Sequence, residues 1–382
     1  MHLLRVQVPD FRGLKDIDIT FEKDFVPKIF PLGSQNGGGK STLLQLIFVL
    51  LHCSGDDDKK PFLQNILHGF KIADGEDKRV LAIIDIWDGE ETFKIEFYVR
   101  KFEDPTLVDE NIQQEDIEPE HRINICNYSS DRNYNGHENP NTQLLCYFNN
   151  LKQDEGKLFL NKVSDKIFLA APLTQVFLFL PRYYQVLLFR GSSQGDGGYY
   201  GIVDSVKSKL NGFFTYEFLA VDILIQSFKA ARDRDFREAI ITGSYGNSYQ
   251  ALIKELNMLL ANKKINFNED FAGVNFKLDN NGETIELYPE DLSHGELKRL
   301  SIYIWLKSRN IKDAIVLMDE VEIAFHPDWQ YQIISDLQEW APSNQYILAT
   351  HSYALCEALT PAHVKEIEPK LIKQESNITN ES

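Results

Sequence analysis

The sequence predicts an α/β fold with a mixed central sheet, an antiparallel β subdomain and a helical subdomain. A short apolar segment, residues 28–32, leads through a glycine-rich loop into an apolar segment over 42–52, which is the strand, loop and helix order of an open α/β sheet. Other segments alternate apolar and polar residues with period two, as half-buried strands do. Residues 203–260 have mostly helical spacing with a break near 243–247, and this predicts the helical subdomain.

Three β-hairpins follow from the period-two segments and from the turn residues between them. The paired segments are residues 3–8 with 17–21, 81–87 with 92–101, and 275–278 with 284–288. Two further strands are predicted at 166–170 and 176–180, and a glycine-rich loop at 191–201. We therefore expect the antiparallel strands to form a subdomain beside the central sheet.

Changes in composition divide the chain into five segments. An N-terminal lobe over 1–102 carries the glycine loop and the first antiparallel strands, and an acidic, asparagine-rich insertion over 103–165 is predicted to be irregular. Strands followed by helices occupy 166–284, and a C-terminal lobe occupies 285–368. The polar tail over 369–382 is expected to fray.

Composition indicates a globular chain without a membrane-spanning segment. The chain has 382 residues, of which 43% are hydrophobic, and this is enough to build a large core. The longest apolar runs, 42–53 and 167–180, are shorter than the roughly 18 residues that a membrane helix needs. The N terminus lacks the pattern of a secretory signal. We expect a cytoplasmic protein that does not associate with membranes.

The cysteines indicate neither a disulfide framework nor a zinc ribbon, because none has the CxxC spacing. They are Cys53, Cys126, Cys146 and Cys356. A metal site built from His121, Cys126, His137 and Cys146 is the alternative, but their uneven spacing favours ordinary loop residues. We expect reduced thiols and no metal site in this region.

The charge of the chain opposes broad binding to nucleic acids. The formal net charge is −17, and affinity for DNA or RNA comes largely from Lys and Arg side chains that displace counterions. One local basic cluster is present, and we interpret it as a solvated helix face. Its members are Lys298, Arg299, Lys307, Arg309 and Lys312. Binding of DNA or RNA through a local patch stays open.

The segment SQNGGGKST predicts a phosphate-binding loop. Its glycines let several backbone N–H groups converge on a phosphate, Lys40 would contact the β- and γ-phosphates of ATP, and Ser41 would hold Mg²⁺. The motif GxxxxGK[ST] has Ser34 in the place of its first glycine, and Gly33 stands one position earlier. The predicted ATP contacts are Ser34, Gln35, Asn36, Gly37, Gly38, Gly39, Lys40, Ser41 and Thr42.

Two later strands are predicted to end in polar residues at the same sheet edge. The apolar run 315–318 is followed by Asp319 and Glu320, and ligands bind at the carboxyl ends of strands in open α/β sheets. Asp319 suits the magnesium shell, and Glu320 suits the base that orients or deprotonates the attacking water. The run 345–349 leads to His351, which either hydrogen-bonds the γ-phosphate or is a core or capping histidine.

The segment LSHGE resembles the LSGGQ signature of ATP-binding cassette (ABC) ATPases. His294 replaces the first glycine and Glu296 replaces the glutamine. The resemblance implies that Ser293, His294, Gly295 and Glu296 bind the γ-phosphate of ATP held by a second copy of the chain. A helix start can bind an anion in this way, but Ser293 followed by Glu296 also fits an ordinary capping box.

Two further segments are similar to the SMC, RecF and OLD branch of that family. Phe11-Arg12-Gly13 looks like the FRG element of the branch, in which the arginine approaches the nucleotide. The run DEVEIAFHPDWQ is similar to the acidic segment of OLD-like ATPases, with Glu322, His326 and Pro327 matching and Val321 in place of proline.

The resemblance covers residues 1–48 and 285–358. The departures at Ser34, His294 and Val321 leave each chemical role in place and could slow turnover. The glutamine that completes the magnesium shell in this family has two weak candidates, Gln175 and Gln185.

The resemblance implies an ABC-type P-loop ATPase head that hydrolyses ATP with Mg²⁺ and dimerises head to head around two nucleotides. The leading hypothesis is an antiphage ATPase similar to the PtuA component of Septu and retron-associated systems, which gates a separate effector such as a nuclease. About thirty residues follow His351, too few for a nuclease domain.

Two alternative functions stay open. The first is a DNA-repair head of the SMC or RecF type that binds DNA directly, although the chain has no sustained heptad pattern and a strongly acidic charge. The second is the nucleotide-binding subunit of an ABC transporter. Against it, about 250 residues separate the phosphate loop from the signature, which is more than a compact transport cassette needs.

Overall fold

The structure is a computed structural model. It describes residues 1–34, 37–101, 119–129, 141–180, 198–216, 220–260, 262–267, 273–280 and 283–367. Predictions for Gln35, Asn36, His137 and Gln185, and for the tail over 369–382, lie outside these residues.

Within the described part of the chain we number strands and helices in order. The strands are β1 (His2–Phe11), β2 (Leu14–Thr20), β3 (Ile29–Gly33), β4 (Lys78–Trp87), β5 (Thr92–Lys101), β6 (Arg122–Tyr128), β7 (Thr142–Phe148), β8 (Ile167–Ala171), β9 (Phe213–Thr215), β10 (Lys263–Phe267), β11 (Val274–Asn280), β12 (Glu283–Leu287), β13 (Ile315–Asp319), β14 (Gln345–Ala349) and β15 (Lys365–Glu366). The helices are α1 (Lys40–Cys53), α2 (Lys60–Leu67), α3 (Gln153–Ser164), α4 (Gly198–Lys209), α5 (Ala220–Thr242), α6 (Ser248–Leu259), α7 (His294–Ser308), α8 (Pro327–Trp340) and α9 (Tyr353–Glu357).

A six-stranded parallel sheet forms the centre of the molecule. Its strand order is β15-β3-β14-β13-β8-β9, and every pairing within it is parallel. Strands β13 and β14 are buried along their whole length, as expected for a parallel sheet that is covered on both faces. The predicted α/β class is confirmed, but the predicted mixed central sheet is corrected to a parallel one.

The antiparallel strands form a separate six-stranded sheet in the order β2-β1-β4-β5-β7-β6. The first two predicted hairpins are confirmed as β1 with β2 and β4 with β5. Short turns join only the hairpins of this sheet, whereas β1 pairs with β4 across β3, α1 and α2, and β5 pairs with β7 across about 40 residues.

The segment predicted as an irregular insertion contains regular structure in its described part. Strands β6 and β7 and helix α3 lie within it. The period-two signal of β7 is weak because Leu144, Leu145 and Cys146 are consecutive buried residues, so both faces of the strand are covered. In β6 the register shifts between Asn124 and Cys126, and such a bulge also interrupts the alternation.

The strand predicted at 176–180 is a 3₁₀ helix over Leu173–Phe179. Val176, Phe179 and Leu180 are buried, and their spacing of three and four residues is helical. The ring of Phe179 packs against Phe213 with centroids 5.0 Å apart. The apolar residues are therefore buried on one side of a helix. Hydrophobicity alone does not distinguish such a helix from a buried strand.

The helical subdomain contains the predicted helices and their predicted break. Helix α5 ends at Thr242, Gly243 has φ +81°, and α6 begins at Ser248. The Asp235 carboxylate closes this turn by accepting the backbone N–H groups of Ser248 and Tyr249, each at 2.8 Å.

Two strands of this region, β9 and β10, were not predicted. The third predicted hairpin is present as β11 with β12, and β10 adds a third strand to it. The short strand β9, which was not predicted, joins the edge of the central sheet beside β8.

Two further observations concern membranes and metals. Among the helices that the structure describes, none is both long and apolar enough to cross a membrane. Cys126 and Cys146 are buried in the antiparallel sheet. Over the described ranges no group of three or more His, Cys, Asp or Glu side chains is arranged to hold a metal ion.

Candidate nucleotide-binding site

The carboxyl ends of three central strands bring the predicted site residues to one sheet edge. Asp319 at the end of β13 pairs with Ala349 of β14, and Ala349 pairs with Leu32 of β3. The glycine loop follows β3, Glu320 follows β13, and His351 follows β14 two residues later. Parallel pairing therefore assembles groups that lie about 300 residues apart in sequence.

The glycine loop can adopt its path only with glycines at particular positions. Gly37 and Gly39 have φ +80° and +87°, a region that side chains with a Cβ rarely adopt. A Cβ on Gly39 would also lie 2.5 Å from Leu14 Cδ2, so the turn between β1 and β2 packs directly on this loop. Gly38 between them is buried. The loop delivers the chain to the N terminus of α1, where backbone N–H groups can bind a phosphate.

Lys40, the first residue of α1, is buried and points its ammonium into the loop. Its Nζ donates to both the carbonyl and the hydroxyl of Ser34, each at 3.0 Å, and lies 3.4 Å from His351 Nδ1. Burial lowers the pKa of Lys40, and the carboxylates of Asp319 and Glu322 oppose this shift. Ser34 thus orients the lysine, a role that glycine at this position could fill only with its carbonyl.

Ser41 and Asp319 form a pair suited to a divalent cation. Ser41 Oγ donates to Asp319 Oδ1 at 3.1 Å, and Thr42 follows in the same first turn of α1. Asp319 is only 2% exposed, and its Oδ2 has no hydrogen-bond partner in the described part of the chain. Magnesium prefers a small number of carboxylate and hydroxyl oxygens. A buried carboxylate oxygen beside a hydroxyl fits Mg²⁺.

The buried carboxyl of Asp319 predicts pH-dependent stability. Burial raises the pKa of Asp319 to about 7, although the Ser41 hydrogen bond lowers it, whereas an aspartate in the unfolded chain titrates near about 4. The folded state therefore binds the proton more tightly. The stability that this proton contributes is complete below about pH 4 and is lost as the pH rises towards about 7.

Thermal melts without Mg²⁺ test this. From pH 5 to pH 8 the melting temperature of the wild type should fall more than that of Asp319→Asn, which has no titrating group. MgATP should stabilise the wild type more at pH 8 than at pH 6, because the ionised carboxylate binds the cation. Equal pH slopes for the two proteins would contradict the assignment.

Glu320 has a strained backbone at the end of β13. Its φ is +52°, a left-handed conformation that costs a residue other than glycine about 1–3 kcal/mol and that clusters at functional sites. Its N–H donates to the Ala349 carbonyl at 3.0 Å, which ties the residue to the neighbouring strand. Glu320 is partly buried. The left-handed backbone ends the strand at Glu320, directly after Asp319.

Glu322 is a site residue for which the sequence offered only a family match. It is 8% exposed, and its Oε1 accepts the backbone N–H of His351 at 2.7 Å. Its Oε2 is buried and without a hydrogen-bond partner among the described residues. The spacing Asp-Glu-x-Glu after an apolar strand was the available signal. Glu322 fixes the main chain of His351.

His351 lies exposed at the sheet edge rather than in the core. Its side chain faces Lys40, and its main chain is held by Glu322. The capping role in this segment belongs to the next residue, because Ser352 Oγ accepts the N–H of Leu355 at 3.0 Å and begins α9. This geometry argues against a core or capping histidine, and contact between His351 and the γ-phosphate stays a prediction.

The signature segment begins α7 with the predicted capping box. Ser293 Oγ accepts the N–H of Glu296 at 3.2 Å, and the Glu296 carboxylate accepts the N–H of Ser293 at 3.0 Å. Ser293 and His294 are exposed, whereas Gly295 is buried. A Cβ on Gly295 would lie 2.7 Å from the Ala324 carbonyl oxygen. Gly295 therefore permits close contact with the loop after β13.

The Glu296 carboxylate makes hydrogen bonds within the fold. Its Oε1 accepts from Lys263 Nζ at 2.5 Å. Burial opposes ionisation, but the hydrogen bonds from Lys263 and Ser293 lower the pKa of Glu296 overall. Of the four residues predicted to meet a second nucleotide, Ser293 and His294 present accessible side chains. Gly295 and Glu296 support the turn, and binding in trans stays a prediction.

Lys298 connects the signature helix to the acidic loop. It is 6% exposed, and its Nζ donates to the carbonyls of Glu320 at 2.8 Å and Ile323 at 3.1 Å. It also lies 4.0 Å from the ring centroid of Tyr216. A buried ammonium needs such acceptors. The sequence assigned this lysine to a solvated face, and that interpretation is wrong.

The interpretation of the basic cluster as a solvated helix face is also wrong for Arg299. Its guanidinium makes two hydrogen bonds with Asp336 of α8, at 2.7 and 2.9 Å, and both side chains are buried. Removing one partner of a buried pair leaves an uncompensated charge, which destabilises a protein by about 3–5 kcal/mol. Two of the five cluster residues thus anchor α7 in the fold, while Lys307, Arg309 and Lys312 are exposed.

Arg12 lies at the turn that packs on the glycine loop. Its φ is +53°, and its Nη2 donates to the Ile66 carbonyl at 2.8 Å, which ties the turn to α2. Leu14, the first residue of β2 after this turn, lies against Gly39. The predicted contact between Arg12 and the nucleotide stays a prediction.

Gln175 is the described candidate for the magnesium-shell glutamine. Its Oε1 accepts a hydrogen bond from Gln45 Nε2, and Gln45 lies one helical turn after Ser41. Gln175 follows β8, which neighbours β13 in the sheet. The other candidate, Gln185, lies outside the described residues. The structure therefore places Gln175 against α1 one helical turn beyond Ser41, and its role in the magnesium shell stays a prediction.

Solved structures of SMC head domains are similar to this chain at low sequence identity. The SMC head bound to the C-terminal winged-helix domain of ScpA matches with a TM-score of 0.46 and 12% identity, over 94% of this chain and 92% of that one. The SMC head domain from Thermotoga maritima matches with a TM-score of 0.44 and 10% identity, over 94% of this chain and 92% of that one. The SMC head domain from Pyrococcus furiosus matches with a TM-score of 0.44 and 15% identity, over 94% of this chain and 91% of that one. The strand order above, rather than these scores, defines the fold.

Sequence comparisons point to ATPases. The chain is 37% identical to the "Retron Vc95 probable ATPase" of Vibrio cholerae serotype O1 biovar El Tor over 69 residues, which is 17% of this chain and only 13% of that protein. Residues 207–357 match the protein-family model described as "AAA domain, putative AbiEii toxin, Type IV TA system". This part of the chain, which contains the acidic strand end and the signature segment, is similar to AAA-type ATPase domains.

Proposed function

We propose that the chain binds ATP with Mg²⁺ on the glycine loop and hydrolyses it. The observation that carries this proposal is the meeting of four groups at one sheet edge. Lys40 lies 3.4 Å from His351, and Ser41 lies 3.1 Å from Asp319. A cation and a metal-binding pair are groups that phosphoryl transfer uses, and a histidine beside them can contact the γ-phosphate, because this reaction depends mainly on positioning and on charge stabilisation.

Each residue has a definite role in this proposal. Lys40 and the N–H groups at the start of α1 bind the β- and γ-phosphates, and Ser41 with Asp319 would hold Mg²⁺, which stabilises charge on the transferring phosphoryl group when bound. Glu320 accepts the proton of the attacking water. His351 donates to the γ-phosphate, held in place by the contact between its N–H and Glu322.

A second copy of the chain would complete each site. Ser293 and His294 stand exposed at the start of α7, where a helix N terminus favours negative charge. The γ-phosphate of one copy would meet this surface of the other, so ATP would hold two heads together. Lys298 would then connect the signature helix α7 of each copy to Glu320 of the same copy, because its Nζ donates to the Glu320 carbonyl at 2.8 Å.

The ATP-dependent closure of two heads would control a separate effector in antiphage defence. The similarity to a retron ATPase supports this setting, as does the family description that refers to toxin–antitoxin systems. In the proposed mechanism the closed state exists only while ATP is bound. The effector, a nuclease in the leading hypothesis, would respond to the population of that state.

Purified chain should hydrolyse ATP when Mg²⁺ is present, and Lys40→Ala should lower the rate by about 100-fold or more, since one preorganised charge on the reacting group contributes about 10²–10³ in rate. Lys157→Ala, at an exposed lysine of α3, is the matched control and should hydrolyse at the wild-type rate. Phosphate release measures both variants.

The same preparations should leave DNA intact with Mg²⁺ or Mn²⁺, as expected for a chain that gates another protein. Equal hydrolysis by Lys40→Ala and wild type would refute the ATP site. DNA cleavage that persists in Lys40→Ala would refute the separate effector alone.

A further inference from the structure

An open cavity of about 1100 Å³ lies within the helical subdomain, on elements other than those of the ATP site. It is bounded by α4, β9, α5, α6 and the C-terminal end of α7. Its floor includes the aromatic residues Phe213, Phe214 and Trp305, which are largely buried. The rings of Phe214 and Trp305 stack with centroids 4.8 Å apart. The floor is therefore apolar and firmly packed.

The rim of this cavity is basic. Lys207 of α4, Arg234 of α5, and Lys307 and Arg309 at the end of α7 all line it. These residues are separated by up to about 100 positions in sequence, so the fold, and not a local run of charge, brings them together.

The acidic residues of the lining are fewer than the basic ones. They are Asp204 and Glu255, two carboxylates against the four cations of the rim, and the Glu255 carboxylate accepts a hydrogen bond from the Tyr303 hydroxyl. Lys207 also donates to Thr215 Oγ1 at 2.8 Å.

The convergence of cations is notable for a chain with a net charge of −17. Lys207, Lys307 and Arg309 each lie at a helix C terminus, where the helix dipole favours positive charge. The dipole does not account for Arg234, which lies in the middle of α5. Within the described ranges, no side-chain hydrogen bond or close ion pair involves Arg234 or Arg309, although the charge of Arg234 contributes to lowering the pKa of the neighbouring Asp235. An excess of like charges around a cavity focuses a positive potential, which attracts an anion.

We propose that this cavity binds phosphate-bearing nucleotides, with a segment of single-stranded nucleic acid as the ligand. Phosphates would meet the basic rim while a base packs against the aromatic floor, which is how basic grooves with aromatic platforms bind single strands. Small-molecule sites occupy about 300–1,000 Å³, so this cavity has room for more than one nucleotide unit. The site differs from the ATP site and goes beyond the proposed ATPase function.

The test is binding of a fluorescent single-stranded 20-nucleotide DNA, measured by anisotropy over a range of salt concentrations with saturating MgATP present. The double variant Arg234→Glu/Arg309→Glu should weaken binding by tenfold or more. It should also reduce the slope of log affinity against log salt by about 1.4, because each of the two lost phosphate contacts on a single strand contributes about 0.7.

The matched control is Lys229→Glu/Lys312→Glu. These lysines are exposed and do not line the cavity, yet their replacement changes the net charge equally. The control should bind within about twofold of the wild type if the cavity, and not bulk charge, is responsible. Equal weakening in the two double variants, or no binding by the wild type, would overturn the proposal.

Two further arms define the ligand and separate this proposal from the ATPase. Thymidine monophosphate is added as a competitor. If it displaces the oligonucleotide from the wild type and fails to bind Arg234→Glu/Arg309→Glu, a free nucleotide is also a ligand of the cavity. ATP hydrolysis should be unchanged in Arg234→Glu/Arg309→Glu, so that loss of nucleic-acid binding and loss of the ATP site give different results. Thermal melts establish that both double variants are folded.

Discussion

Replacing Glu320 by glutamine is expected to lower ATP hydrolysis by about two to three orders of magnitude while leaving ATP binding intact, since a group that acts only in the transition state affects kcat rather than ground-state binding. The amide has the shape of the carboxylate but cannot accept a proton from water. The groups proposed to bind the nucleotide, Lys40, Ser41 and Asp319, are unchanged. The φ of +52° at this position applies equally to glutamine, so the fold should be retained.

Glu322→Gln is the matched control for this variant. Glu322 is a neighbouring carboxylate whose Oε1 accepts the His351 N–H at 2.7 Å, and an amide oxygen can still accept that bond. Its hydrolysis should therefore fall much less than that of Glu320→Gln. With ATP, Glu320→Gln should remain as a stable dimer in light scattering and dissociate when ATP is removed. Hydrolysis at the wild-type rate by Glu320→Gln would exclude this residue as the base.

The parts of the fold that the sequence predicts are those in which local pattern and tertiary environment agree. Strand β2 is buried and exposed in near alternation, so its period of two is visible in the sequence. In β7 both faces are covered, and the signal disappears. The apolar run ending at Leu180 could be a strand or a helix by hydrophobicity alone, and packing against Phe48 and Phe213 selects the 3₁₀ helix.

In the candidate site, too, the sequence predicts the residues of a continuous motif and misses those that act through distant contacts. The glycine loop is contiguous, so its composition and its junction between β3 and α1 are readable from the sequence. Glu322 and Lys298 act through backbone groups that lie 29 and 22 residues away, and no local pattern encodes such contacts. The basic cluster near α7 shows the same limit, because only the fold separates the buried Lys298 and Arg299 from the exposed Arg309.

Mixing two inactive variants is expected to restore ATP hydrolysis if each site is shared between two copies. Lys40→Ala removes the phosphate-binding lysine but keeps the signature. His294→Glu places a negative charge where the second copy's γ-phosphate is proposed to arrive but keeps the phosphate loop. Glutamate in the first turn of α7 favours the helix dipole, and His294 is exposed, so this variant should fold normally.

Each variant alone should be nearly inactive, because both sites of its dimer are damaged. In a mixed dimer one site combines the intact loop of His294→Glu with the intact signature of Lys40→Ala. Random pairing at equal concentrations makes half of the dimers mixed, so the mixture should regain about one quarter of wild-type activity. Lys40→Ala mixed with Glu320→Gln is the control. Both changes lie in the same half of a site, so every site keeps one defect and no activity should return. Failure of the first mixture to regain activity, or equal recovery in the control, would contradict a site shared between two copies.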